Sequence, residues 1–285
     1  PDKNFISFKT GIGYNSISSK DDYYDNSRSK TDWLGYDKTQ RPLPAAVAAS
    51  TNLQFNDLYD TDGKIKLDRS FANTWGLTKR NASPLNNSLQ LTGGFNNKLG
   101  KGNYPKLGGI FGITYSSTYT NNSQSLKSFG DADDTNYDYT DTVNAQNILA
   151  SALGNIVLRF DANNKIYINN ILSVNSVNQT VRRDGSTNAL GRNFVLAESY
   201  FFASNRIYNT QIGGEHYFPK SKLKFKWLGY YTDLKREEPD YRFIAYQKDA
   251  VSDPYTAVLA YGPLSTTESG LRFFGSVKDY SKGVN

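Results

Sequence analysis

Hydrophobic and polar residues alternate along this chain with a period of two. Near its start, Ile6, Phe8, Thr10, Ile12 and Tyr14 are separated by Ser7, Lys9, Gly11, Gly13 and Asn15. Successive side chains of a strand point to opposite faces, so this stretch predicts a strand with one apolar side. The pattern returns over residues 89–95, 107–115, 148–160, 166–174, 208–218, 223–231 and 271–277, which predicts about eight strands. Within 166–174, Asn170 falls on the apolar side, and a β-bulge would account for it. In the last stretch Leu271, Phe273, Gly275 and Val277 form the apolar side, against Arg272, Phe274, Ser276 and Lys278.

The polar sides are rich in Gly, Ser, Asn and Lys, which suits a wide, wet interior better than a sandwich fold. The predicted strands run to about 10 residues or more, the length of a tilted membrane span. Their connections alternate. Short ones fall at 97–105, 161–164 and 219–222; long ones at about 17–86, 120–138, 181–191 and 234–268. Short turns on one rim and long loops on the other mark outer-membrane barrels, with the short rim in the periplasm. The expected fold is therefore all-β, an antiparallel transmembrane β-barrel segment over residues 1–285. On the apolar sides Tyr14, Tyr115, Tyr119 and Tyr231 fall towards the outer rim, and Phe95, Phe160 and Phe218 towards the other. Two lipid-facing aromatic girdles follow from that placement.

Composition narrows the alternatives. The chain has 285 residues, of which 38% are hydrophobic and 14% aromatic, and its mean hydropathy is −0.62. So many aromatics exclude a disordered chain. Cys is absent, which removes disulfides, Cys-ligated zinc and thiol nucleophiles, and the single His216 removes any two-histidine metal site. No apolar run is long enough for a transmembrane helix. Met is absent and the sequence opens at Pro1, so a processed chain, its signal peptide removed, or part of a longer polypeptide is expected. The formal charge of +6 comes with no nucleic-acid-binding motif, so no nucleic-acid partner is expected.

Four stretches carry a resemblance: 5–16 (FISFKTGIGYNS), 31–44 (TDWLGYDKTQRPLP), 71–100 (FANTWGLTKRNASPLNNSLQLTGGFNNKLG) and 223–240 (LKFKWLGYYTDLKREEPD). In this order they resemble the early barrel of TonB-dependent outer-membrane receptors, of the type with a carboxypeptidase-regulatory-like N-terminal domain. The resemblance implies about eight strands of a 22-stranded barrel, whose plug and TonB box lie outside this sequence. It implies energised uptake of a nutrient across the bacterial outer membrane, with TonB acting through the plug. Lipid, lipopolysaccharide and a surface lipoprotein are the partners it suggests. A docking or adhesion barrel and a passive porin are the alternatives.

The wall is expected to be no enzyme and to carry no cofactor, no metal and no catalytic residue; its substrate contacts are unknown. Asp60, Asp62, Gly63 and Asp68 resemble a calcium loop, but Leu58 and Arg69 stand where the end ligands of an EF-hand should be acidic. A polar turn is the simpler reading. Asp131, Asp133, Asp134, Asp138 and Asp141 read as a solvated acidic loop. Tyr23, Tyr24, Trp33, Tyr36, Phe55 and Trp75 read as aromatics that pack the first long loop. Lys9, Arg159, Lys224, Lys226, Arg272 and Lys278 form a lumen-facing basic stripe, suited to acidic groups of a plug or to an anionic substrate. His216, near a short turn, suits an interfacial role.

Overall fold

The computed structural model describes residues 3–16, 19–49, 61–130, 134–188, 193–259 and 269–285. Its main body is one antiparallel sheet in which sequential strands pair as neighbours. β1 (Phe5–Gly13) pairs with β4 (Asn86–Lys98), followed in order by β5 (Lys106–Phe129), β6 (Thr135–Arg159), β7 (Asn164–Thr187), β8 (Asn193–Phe218) and β9 (Leu223–Lys248). β9 then pairs with both β10 (Thr256–Val258) and β11 (Arg272–Val284). A separate ribbon joins β2 (Tyr23–Asp25) to β3 (Thr78–Arg80) and closes the base of the first long connection. That connection also holds a 3-10 turn (Asp32–Leu34) and the helices α1 (Ala45–Ala49) and α2 (Thr61–Asp68).

The all-β antiparallel architecture is as the alternation predicts, and the sheet is open rather than closed on itself. The strands are much longer than expected. β5 to β9 have 24, 25, 24, 26 and 26 residues. Most of the expected loops at 120–138, 181–191 and 234–268 are therefore strand; β5 and β6 stay in register to Ser128 and Tyr137. The stretches 120–128 and 181–187 are mostly polar on both sides, so they lack the one-sided greasy pattern of the lower strands. The first connection, 17–86, is a long loop of mixed structure among the described residues.

The register sorts every side chain onto one of two faces. The first face carries Ile6 and Phe8, Leu89 and Leu91, Phe111 and Ile113, Ile156 and Leu158, Ile166 and Ile168, Ile212, Phe225 and Trp227. No second layer covers this band among the described residues: Ile6 is 77% exposed, Ile113 50%, Ile156 52% and Phe225 52%. The apolar stripes thus do not meet one another in a dry core.

The band is oblique to the hydrogen-bond rows. It covers 107–115 on β5, 166–174 on β7 and 223–231 on β9. Polar ground begins beyond it at Ser117, Ser176, Arg206 and Asp233 on β5, β7, β8 and β9. Each stretch is about nine residues, the span of a strand tilted through a bilayer. Within the band, glycines sit opposite aromatics: Phe95 faces Gly109, Phe111 faces Gly93 and Trp227 faces Gly214. A Cβ on Gly109 would stand 2.6 Å from the Phe95 ring, so the ring lies flat where a larger residue would lift it.

Two strand-level expectations are corrected. Asn170 sits on the apolar face in unbroken register with Gly154 and Thr210, with no bulge. Its Nδ2 donates to the Gly154 carbonyl at 3.3 Å, which makes the polar side chain tolerable there. In β11 the faces are reversed. Lys278 pairs with Lys235, on the first face, whereas Val277 pairs with Arg236, on the second. Alternation within β11 is unbroken: the extra residue between Tyr200 and Ser204, and between Phe273 and Gly275, lies in β9, and β11 turns its apolar side to the second face.

Candidate functional site

Beyond the apolar band, the first face turns polar and the first long connection lies on it. Ser117 and Asn121 of β5, Asn144 and Gln146 of β6, Ser176, Asn178 and Thr180 of β7, and Ser204 of β8 are buried beneath it. These side chains hold the loop backbone. Asn144 Oδ1 accepts from the Tyr24 amide at 3.0 Å, Thr180 Oγ1 donates to the Tyr24 carbonyl at 2.6 Å, and Ser204 Oγ donates to the Gly35 carbonyl at 2.6 Å. Gly35 has φ +83°, and a Cβ there would stand 3.0 Å from Val174, so this close approach requires glycine.

Three buried ionic clusters fasten the connection. Asp25 pairs with Arg28 at 2.9 Å and Arg80 at 3.2 Å, and Arg28 also reaches Gln146 on the sheet. Arg41 donates to both carboxylate oxygens of Asp32 at 3.0 and 2.9 Å and to Asp37 at 3.3 Å, and its guanidinium lies over Phe202. On the sheet, Asp240 receives Arg242 and Arg272. These two guanidiniums donate onward to the carbonyls of Thr74 at 2.8 Å and Ala72 at 2.9 Å. They also lie over Trp75, and Arg272 lies over Phe71. Burial raises the Tyr23 hydroxyl pKa well above the usual tyrosine value, and nearby Asp25 adds to it. Tyr200, beyond the band, is raised by burial and by its hydrogen bond to Glu198, while it accepts the Gly76 amide at 2.8 Å.

The loop aromatics pack, as expected. Tyr23 meets Tyr119 edge-on with ring centres 6.0 Å apart, Trp33 meets Tyr115 at 6.2 Å, Trp75 meets Tyr200 at 6.0 Å, and Arg182 covers Tyr24. Tyr36 is exposed at 38%, and Phe55 lies outside the described residues. Tyr115 and Tyr119 therefore share the face of the girdle but touch the loop; Tyr119 also accepts from Gln146 at 2.8 Å. Tyr14, Phe160, Phe218 and Tyr231 are exposed, and Phe95 is half-buried against Gly109.

Lys9, Arg159, Lys224 and Lys226 share the second face. Arg272 does not: it stands on the first face in the Asp240 cluster, because β11 turns its polar side to that face. Lys278 moves with it. The register also brings together a set that sequence spacing conceals. Lys98, Lys106, Arg159, Lys165, Glu215 and Lys226 stand directly opposite one another, in that order, from β4 to β9. Farther from the short turns the second face also bears an apolar island of Ile110, Leu149, Leu153 and Ile171, each partly exposed.

The remaining candidates have plain structural roles. Residues 61–68 form α2 rather than a calcium loop or polar turn, and Asp60 lies outside the described residues, as do Asp131 and Asp133. Asp138 pairs with Lys127 at 2.8 Å and Asp141 with Arg183 at 2.7 Å, so these two acids are neutralised on the ladder. No group of three His, Asp or Glu side chains able to hold a metal occurs among the described residues. His216 bonds Asn164 through Nδ1 at 2.9 Å and accepts from the Trp227 indole through Nε2 at 3.3 Å, which fixes the ring at the short-turn rim. Comparison with known proteins finds no matching family model, no matching curated protein and no matching solved structure.

Proposed function

We propose that this sheet is part of the wall of a TonB-dependent receptor in the bacterial outer membrane, and that the receptor imports a nutrient. The observation that carries the reading is the uncovered apolar band. It is about nine residues tall, follows a tilted course across the strands, and gives way to polar ground on one side. A water-soluble sheet with this much exposed Ile, Leu and Phe would aggregate through that face. In lipid the same face is satisfied, because the inner strands β5 to β8 are paired with a neighbour on each side through the band.

The wall performs no bond chemistry in this reading. Strands extended far past the bilayer raise a rigid collar at the cell surface, and the first connection stiffens it from the outer side. Substrate meets the far-end tips and passes along the second face. A plug occupies the bore and opens when TonB pulls on it. The apolar island on the second face supports an occupied bore, since a bare water channel has no use for Ile110, Leu153 and Ile171.

Planar-bilayer recording of the purified receptor tests this. A plugged receptor gives no steady conductance until denaturant dislodges the plug, and then opens a large pore. Steady open channels in plain buffer would establish the porin alternative instead.

A further inference from the structure

β5 outruns its neighbour on one side. Its pairing with β4 ends at Ser117, opposite Asn87, while its pairing with β6 continues to Phe129. Among the described residues, 118–129 therefore have a strand along one edge only. The gap follows from the path of this chain, which arrives at β4 from the first connection only at Asn86. A strand joining the sheet beyond β1 stands three strand spacings from β5, roughly 14 Å, out of hydrogen-bond reach. The ladder fixes which main-chain groups the open edge presents. The Tyr119 amide points away from β6, to Asn86 Oδ1 at 2.6 Å, and the Gly130 amide points toward β6, to the Asp134 carbonyl at 2.6 Å. The N–H and C=O of one residue share a side and the side alternates along a strand, so Ser123, Ser125 and Lys127 turn theirs to the open edge. No described group bonds them there. Residues 122–125 and 127 are exposed. The usual protection of an edge is thin here: 118–129 hold no Pro, and their one charged residue, Lys127, is paired with Asp138 at 2.8 Å. A cleft of about 730 Å³ opens beside the lower end, between Lys20, Asp21 and Asp22 and residues Asn121, Asn122 and Ser123.

We propose that this edge takes up an extended segment of another polypeptide as an added antiparallel strand. Donors and acceptors recurring every second residue, about 6.8 Å apart, are matched by an extended backbone and not by a small ligand or a lipid headgroup. The antiparallel direction gives the straighter bonds. Asn122, Gln124 and Leu126 flank the edge on the second face, and Ser123 and Ser125 on the first. The segment that fits is therefore uncharged and rich in Ser, Thr and Asn, whose side chains bond their cross-strand neighbours. The proposal needs only the open edge and stands apart from the import reading.

Residue-by-residue hydrogen exchange of the full protein in lipid nanodiscs tests this, with a synthetic Ser/Thr/Asn peptide of about seven residues as the probe. At about 1 mM peptide the amides of Ser123, Ser125 and Lys127 should slow about tenfold. Those of Asn122, Gln124 and Leu126, which already face β6, should not change. Ser125→Pro removes one outward donor and no bond to β6, a place where an edge strand tolerates proline. It should abolish the slowing at Ser123 and Lys127 while the amides of β6 and β7 keep their protection. The same peptide with proline at every second position should have no effect. Absence of slowing with the first peptide, or equal slowing of odd and even amides, overturns strand addition. Slow exchange of the three amides before any peptide is added shows an edge already covered and also overturns it. Slowing that follows the concentration of the protein alone makes a second copy the occupant and overturns the choice of a different polypeptide.

Discussion

Asp240 is the residue on which the clamp over β8 and β9 depends. Its carboxylate receives Arg242 and Arg272, and their side chains are exposed by only 3% and 12%. Asp240→Asn isolates the charge. Asp240 has φ +57°, a left-handed conformation that Asn tolerates about as well as Asp, so the backbone need not change. The substitution leaves two guanidiniums close together with no counter-charge. Breaking a buried pair by removing one partner costs about 3–5 kcal/mol. Arg272 retains some access to water, so the lower end, about 3 kcal/mol, is the better value. The loss falls on the segment that the two arginines hold through the Thr74 and Ala72 carbonyls. Amide exchange of Gly76, whose N–H is bonded to Tyr200, reports that segment directly. At about 1.4 kcal/mol per tenfold, its exchange should accelerate roughly 100-fold, with amides in the band on β5 to β7 unchanged. Wild-type protection of Gly76 in the variant would refute the clamp.

Two further outcomes follow from the packing. Gly109→Ala forces a Cβ against the Phe95 ring and 3.1 Å from the Asn155 carbonyl, so it should destabilise the sheet by about 1–3 kcal/mol and lower the urea midpoint; an unchanged midpoint means that the ring moves freely aside. Tyr23 and Tyr200 have folded-state pKa values raised above the ordinary value of about 10. Their contribution is therefore complete below that pH and lost as pH rises through the folded values. Ultraviolet titration should find two tyrosines that resist ionisation until the first connection detaches, and simple titration of every tyrosine near pH 10 would contradict this.

Much of the sheet was legible because its lower strands have one greasy side. Residues 107–115 and 223–231 alternate cleanly and fold as they read. The upper strands were not legible, since residues such as 121–128 and 178–184 are polar on both sides, and a polar ladder resembles a polar loop in sequence. β11 misled because alternation separates two sides without saying which face each takes, and pairing with β9 puts Arg272 and Lys278 on the first face and Phe273 and Val277 on the second. The ionic clusters were invisible for a different reason. Arg41 and Asp32 lie near each other in sequence, but Phe202 beneath them does not, and Arg272 reaches Asp240 and Ala72 only through the fold. The cationic row shows the same limit: its members come from six strands, and only pairing aligns them.

The orientation of the two faces is tested most directly by paired nitroxide labels in lipid vesicles. The chain has no Cys, so single substitutions such as Ile113→Cys and Thr114→Cys place a label at one defined position in it. Oxygen concentrates in lipid tails and charged nickel complexes in water. Labels at positions 111, 113, 156 and 168 should be relaxed mainly by oxygen, and those at 112, 114, 155 and 169 mainly by nickel or by neither. Nickel access at 111, 113, 156 and 168, with oxygen preference at their neighbours, would turn the wall inside out and contradict the account.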